Sequence, residues 1–361
     1  MAGSSVPTPK FGVIGTGSMA AAMMNTFAQA RVEVRAVASH DPARSRLFAR
    51  AFEIPVGGLE IGSLLRDADI DAVYIANSPR DHAATAIAAL EAGKAVLCEK
   101  PISISGREAQ RVADAARQTG KLCMEGLWTL FLPAYVRFLE LARTRAYGEA
   151  NHLYADFGYP ASQELLPQLF VPEGGGVLLD RGVYLIALAL KLFGSIETID
   201  ARIDFTDLGV DRVASLQLIH KGGKQSQLAA SFTSLMSNAA TLACTGGLIR
   251  LEAPLIGSEA VSARRFAIGR ASPPNAIVRR SARDKVLSKL RQNRHLRRIK
   301  RGLPDLVRHH FSYGSNQYLP QLQHFLALLN SGTQESDVVP LELSLAIQRV
   351  IDHVRANHHR H

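Results

Sequence analysis

Cysteine is scarce in this chain. Cys98, Cys123 and Cys244 are the only three in 361 residues, with no CxxC spacing and no disulfide-like set. That excludes a disulfide framework, and the apolar runs around Cys98 and Cys123 read as buried thiols in a reducing cytoplasm. Long apolar runs are missing as well, so no segment is expected to span a bilayer. The N-terminal "MAGSSVPTPK" lacks the charged-then-apolar pattern of a signal peptide and reads as a short disordered lead. Charge is not spread evenly. The net charge is +10, yet between Arg279 and Arg301 there are 11 Lys/Arg against one acid, Asp284, and the rest of the chain is balanced. What remains, 47% apolar and 20% charged, fits a globular protein long enough for two domains.

The first 125 residues alternate short apolar strands with helices: "KFGVIG" (10–15), a helix over Ala21–Ala30, "VEVRAVAS" (32–39), a helix from about Pro42 capped by Asp41, and "DAVYIAN" (71–77) before the helix "DHAATAIAALEAG". "AVLC" (95–98), a helix from about Gly106 to Gly120 and "KLCME" complete the series. Fully apolar strands alternating with helices imply a parallel sheet covered on both faces. In that setting Gly15, Thr16, Gly17, Ser18, Met19 and Ala20 match G-x-G-x-x-G/A between a strand and a helix. Gly15 serves the tight turn, Gly17 lets a pyrophosphate approach the backbone, and Ala20 keeps helix and sheet close. The reading is a Rossmann dinucleotide-binding domain over residues 1–125. At the end of the second strand an NAD site usually has a carboxylate for the ribose 2′-hydroxyl. Here Ser39 and His40 stand there, with Arg44 and Arg46 on the next helical turn and Asp41 used as a cap. A hydroxyl with nearby cations suits a 2′-phosphate, so NADP is favoured, with NAD left possible and Arg44 and Arg46 as solvated helix arginines the plainer alternative.

The strand "AVLC" runs into Glu99, Lys100 and Pro101, an odd ending for a core strand. Ligands bind at the carboxyl edge of parallel sheets, and a residue before proline is pushed toward an extended conformation, so Lys100 is a positioned lysine and its bond to Pro101 a candidate for cis. Asp180 and Tyr184 lie four apart in "LLDRGVYLIALALKLFG", on one face if this is a helix, after the glycine run Gly174–Gly176. A lysine cation beside Tyr184 would lower its pKa and let the pair pass a proton.

These three motifs, Gly15–Ala20, "EKP" at 99–101 and "GGGVLLDRGVY" at 174–184, resemble those of the Gfo/Idh/MocA oxidoreductases over about residues 10–260 and 312–355. "CMEGLW" (123–128) is closest in flavour to the dimeric dihydrodiol and xylose dehydrogenase branch. The resemblance implies the Rossmann domain followed, over 126–361, by an α/β domain whose large, mostly antiparallel sheet packs into homodimers or homotetramers, with substrate held between the domains. It also implies Lys100, Tyr184 and Asp180 as catalytic residues, the acid–base division between Lys100 and Tyr184 staying open because some members carry histidine at the latter position. Asn77, with "SPRDH", and Glu99 would lie by the cofactor. His82 is a cofactor neighbour or a helix-start residue, and Glu125 and Trp128 face substrate, or Trp128 is core. Relatives often carry arginine soon after that tryptophan. Thr129 and Leu130 stand there instead, which removes the basis for expecting a charged substrate at that point.

The second half alternates as antiparallel strands do ("EANHLYADFGY", "ASLQLIH", "SQLAASF", "TLACTGGLIRLEA") and closes with helices "HFLALLNSG" and "LELSLAIQRVIDHVRA". A basic insert over about 273–305 interrupts it: a solvated helix or loop, a contact for an acidic ligand or partner, or a nucleic-acid or membrane surface. The last is disfavoured because no aromatics are interleaved to stack bases. The tail "HHRH" reads as a solvated end. The function expected is hydride transfer between NADP and a sugar, polyol or related hydroxyl or ketone compound, in a cytoplasmic enzyme. Against it stand a dinucleotide-binding sensor or scaffold without turnover, and the NAD-dependent glycoside hydrolysis found in some members.

Overall fold

A computed structural model describes residues 9–266 and 307–357. Strand β1 (Phe11–Ile14) is apolar and buried at every position, which a sheet covered on both faces requires. Val34–Ala38 (β2) and Ala72–Ile75 (β4) flank it; Val56–Leu59 (β3) lies outside β2, and Ala95–Cys98 (β5) and Cys123–Glu125 (β6) lie beyond β4. All pairings are parallel, in the order β3-β2-β1-β4-β5-β6. The order reverses between β1 and β4, and the crevice there is where such sheets take ligands. Helices Ser18–Ala30 (α1), Pro42–Ala51 (α2), Ile61–Leu65 (α3), Pro79–Glu91 (α4) and Gly106–Thr119 (α5) connect the strands. Asp41 caps α2 by accepting from the Ala43 and Arg44 amides.

Past Pro133–Arg143 (α6) the chain builds a second sheet from Ala150–Gly158 (β7), Ile196–Phe205 (β8), Asp211–His220 (β9), Gln225–Ser231 (β10), Ala240–Cys244 (β11), Gly247–Leu251 (β12), Ala260–Arg265 (β13) and Val307–His310 (β14). Its order is β14-β13-β12-β11-β7-β10-β9-β8, antiparallel except where β7 and β10 run side by side in parallel. The sheet has two characters. Leu153, Ala155, Leu216, Leu228 and Leu242 are buried, whereas Tyr154, Ser215, Gln217 and Gln227, on the opposite side by alternation, are exposed. Between β7 and β8 run a π-helical turn (Leu178–Gly182) and Val183–Phe193 (α7).

Leu319–Ser331 (α8) and Leu341–Ala356 (α9) return to the first domain. Asn316, just before α8, bonds Thr26 of α1, and Asp352 of α9 accepts from the Gly106 amide at the start of α5 (2.7 Å). The expected architecture is therefore present, α/β with a Rossmann sheet first and a mostly antiparallel sheet second. Strands β3, β8, β13 and β14 and helices α3 and α6 were not foreseen. The basic insert and the histidine-rich tail lie outside the described residues.

Candidate active site

Lys100 follows β5 and is joined to Pro101 by a cis peptide bond. Its Nζ donates to Asp180 Oδ1 (2.8 Å) and to the Asp180 carbonyl (2.9 Å), and stands 5.2 Å from the centre of the Tyr184 ring. Two motifs far apart in the chain thus meet at one ammonium. The junction is local in origin. Gly176 has φ +100° and a Cβ there would meet Asp211 Oδ1 at 2.3 Å, so only glycine fits. Asp211 in turn accepts from the Leu178 amide (2.7 Å) and from Arg355 (2.6 Å), fixing the start of the π turn. The π turn carries Asp180 and leads into α7, which carries Tyr184; such turns are frequent at functional sites.

Lys100 and Asp180 side chains are 17% and 28% exposed, and that exposure opens onto a cavity of about 690 Å³ shared with Asn77, Pro79, Gln168 and Glu173. Tyr184 is only 6% exposed, and its hydroxyl oxygen accepts from Trp128 Nε1 (3.1 Å). Burial works against the Lys100 charge, but Asp180 and Tyr184 outweigh it, and the ammonium is held above its ordinary range. Burial pushes the Asp180 carboxyl up; Lys100 and Arg181 more than offset that and keep it below its ordinary value. For Tyr184 burial wins. Its hydroxyl lies above the ordinary tyrosine value although Lys100 pulls it down, so the lowering expected from the lysine is present but outweighed in this state.

Behind the lysine is a second, drier layer. Glu99 accepts from Tyr74 Oη (2.6 Å) and from the Lys100 amide (3.3 Å), and burial pushes its carboxyl up. Glu125 is 1% exposed and lies beneath the loop rather than on the cavity, its Oε1 accepting from the Ile102 amide (2.9 Å). Trp128 is 3% exposed, bonds the Tyr184 hydroxyl and, like Tyr184, lies behind the residues that line the cavity. His82, on the first turn of α4, is buried with Nδ1 2.7 Å from the Pro101 carbonyl and Nε2 3.2 Å from that of Asn77; burial lowers its pKa, so one nitrogen donates and the ring staples the two loops.

The dinucleotide signature has the form its chemistry needs. Gly15 has φ +116°, and a Cβ there would lie 2.2 Å from the Ala76 carbonyl oxygen, so the β1 turn is pressed against the end of β4. At Gly17 a Cβ would meet nothing within 4 Å, and no side chain caps α1. Open space thus fronts the uncapped amides of Ser18, Met19 and Ala20, which fits a pyrophosphate. Asn77 gives its Nδ2 to Thr85 (3.0 Å), while its buried Oδ1 has no hydrogen-bond partner among the described residues, an acceptor suited to a bound group. Just past β2, Ser39 Oγ donates to the Asp41 carbonyl (2.6 Å), His40 Nε2 lies 3.4 Å from Asp81, and Arg44 is exposed.

Sequence reasoning missed Arg181 and Tyr74. Arg181 is 6% exposed, with Nε 3.6 Å from Asp180 Oδ2. Its only signal was a second charged letter, beside Asp180, in a mostly apolar stretch.

A Rossmann crevice facing a lysine, an aspartate and a tyrosine, roofed by a second domain, defines an NAD(P)-binding oxidoreductase. Comparison with known proteins supports the same class. Residues 9–127 match the oxidoreductase family with an NAD-binding Rossmann fold, and residues 135–250 match the GFO/IDH/MocA C-terminal domain. Trans-1,2-dihydrobenzene-1,2-diol dehydrogenase of Sus scrofa is 30% identical over 251 residues, 68% of this chain and 74% of that one; the Oryctolagus cuniculus protein of the same name is 29% identical over 90% and 89%. The chain belongs to the Gfo/Idh/MocA family. Solved structures share the fold: a 3-ketoreductase from Actinomadura kijaniata in complex with NADP and TDP-benzene (TM-score 0.76, 23% identity, 97% of each chain), and an aldose-aldose oxidoreductase from Caulobacter crescentus complexed with glycerol (0.77, 19%, 97% of each).

Proposed function

We propose that the protein transfers a hydride between NADP and a sugar, polyol or related hydroxyl or ketone substrate, with Tyr184 exchanging the proton. The observation that carries this is the Lys100 ammonium, held 2.8 Å from Asp180 and over the Tyr184 ring at the wall of the cavity. The nicotinamide, when bound, supplies or accepts the hydride. Gly15–Ala20 and Asn77 would hold the dinucleotide, and His82 and Glu99 position the two loops around it.

The division of labour follows from charge. Lys100 keeps its proton at neutral pH because its value is raised, so it orients and polarises rather than shuttles. Tyr184 is protonated and therefore a proton donor to a ketone; in the oxidation direction it must first lose that proton, which Lys100 and the Trp128 N–H favour. Asp180 anchors Lys100 and offers acceptors to a substrate hydroxyl. Carbohydrate-like substrates are further supported by the polar Gln168, Glu173 and Asp180 on the cavity and by proteins of the same fold or family named as a diol dehydrogenase, an aldose-aldose oxidoreductase and a 3-ketoreductase. NADP is supported by the missing carboxylate at the end of β2, Asp41 being committed to its helix cap.

The test is fluorescence titration with NADPH and NADH, then turnover in K100M and Y184F. Tighter NADPH binding, with turnover abolished in both variants and cofactor affinity retained, is the expected result. Full turnover in both would remove Lys100 and Tyr184 from the chemistry. Binding of cofactor with no turnover on any diol, aldose or ketone would favour a sensor.

A further inference from the structure

Asp180 does not face Lys100 alone. One carboxylate oxygen takes Lys100 Nζ, while the other is turned to Arg181 Nε at 3.6 Å. Arg181 is buried, which for an arginine demands partners, and it has them on every side. Its Nη1 donates to the carbonyls of Tyr159 (2.7 Å) and Ser231, and its guanidinium stacks between the rings of Phe232 (4.6 Å) and Phe157 (5.3 Å). This seat depends on the one parallel pair in the second sheet. Because β7 and β10 run the same way, with Gly158 opposite Ser231, both strands end at the same edge, and the Ser231 carbonyl and that of Tyr159, one residue past β7, converge on one cation.

The charges around Lys100 explain what such a cation does. Two carboxyls act on the ammonium: Asp180 in direct contact, and Glu99, which is bonded to the Lys100 backbone amide, from further off. With both ionised and no second cation, the cluster under Tyr184 would be net negative, and a negative cluster opposes both a phenolate and an alkoxide. We propose that Arg181 is a positioning residue of this site: it balances Asp180, so that the charge of Lys100 remains effective on Tyr184 and on the reacting oxygen. The proposal rests on the hydride-transfer reading above.

The groups facing Tyr184 are Lys100 and Glu99 after β5, Asp180 in the π turn before its own helix, Trp128 after β6, and Tyr135 on α6; Arg181 acts on it through Asp180. Removing the Arg181 cation leaves the Asp180 charge less balanced and so raises the basicity of the proton acceptor. The pH limb of NADP⁺ reduction should then move to higher pH. A move of about one unit lowers kcat/KM about tenfold below the limb.

The experiment compares R181Q and R181M, both neutral, with R181K, which keeps the charge. Probes are trans-1,2-dihydrobenzene-1,2-diol and D-glucose, and NADPH affinity is measured alongside. The expected result is that the limb moves up by about one unit in either neutral variant, stays in place in R181K, and leaves the NADPH dissociation constant unchanged. R181M keeps an apolar contact with Phe157 and Phe232, so a loss of folding confined to R181Q leaves the comparison intact. Neutral variants that melt earlier yet keep the wild-type limb, beside an inactive K100M, would overturn the role of Arg181 alone. Full activity of K100M and Y184F would overturn the site reading and this inference together.

Discussion

The Lys100–Asp180 contact makes opposite demands on the two partners, and this has a measurable consequence. Asp180 is lowered, so its share of the pair's stabilisation is present above the unfolded carboxyl value near ~4 and is lost as pH falls through the folded value. Lys100 is raised, so its share is complete below the unfolded value near ~10.4 and is lost as pH rises through the folded one. D180N should therefore lower the melting temperature most between those limits, by an amount equivalent to about 2 kcal/mol, with the gap to wild type closing toward acid. A gap that is constant with pH would show that the two groups are not coupled. The catalytic prediction belongs to the same scale. Y184F should reduce kcat by about 10²–10⁴-fold with NADPH affinity intact, the range for loss of a general acid. Lys100, Asp180 and Tyr184 were legible because each sits in a spaced motif. Arg181 was not, since its partners are carbonyls delivered by two distant strands and Asp180 by the neighbouring residue, and no local pattern records that convergence.

At the scale of elements, two glycines of one turn do different work. G15A meets the Ala76 carbonyl at 2.2 Å in a backbone conformation that disfavours side chains, so it should destabilise the fold. G17A meets nothing within 4 Å, so it should melt like wild type while weakening NADPH binding at least about tenfold, roughly what losing one or two charge-assisted hydrogen bonds does. Equal NADPH affinity in G17A would argue that the dinucleotide does not approach that turn. The same contrast explains which elements could be read in advance. Strands β1, β4 and β5 are apolar throughout and announce themselves. Strand β3 is Val-Gly-Gly-Leu at a sheet edge, half-buried and without a packing stripe. Strand β8 interleaves Ile199, Ala201 and Ile203 with Asp200, Arg202 and Asp204, and its edge position leaves those charges in water. Asp180 and Tyr184 were expected within one regular helix; the π turn that holds Asp180 arises from the Gly176–Asp211–Leu178 arrangement, a tertiary cause.

For the whole molecule, the described residues bury one side of the second sheet, while the other presents Tyr154, Ser215, Gln217 and Gln227. A broad face of aromatic and polar side chains, with Asp200 and Arg202 toward its β8 edge, suits a second copy of the chain. We expect light scattering to give a multiple of the 39.1 kDa chain mass, and Q227R with Y154E to give monomers that still bind NADPH. A wild-type monomer at micromolar concentration would remove the oligomer proposal. The return of α9 bears on something else, the order of events during synthesis. The amide that opens α5 waits for Asp352, 246 positions later, and the π turn waits for Arg355 to steady Asp211. A chain emerging from its N-terminus can assemble the β1–β6 sheet early. It gains the tie across α5 and the brace beneath Asp180 only when α9 has been made. Until then a nascent chain should hold a dinucleotide fold without a working proton donor, so no reduced nucleotide would be spent by half-made enzyme.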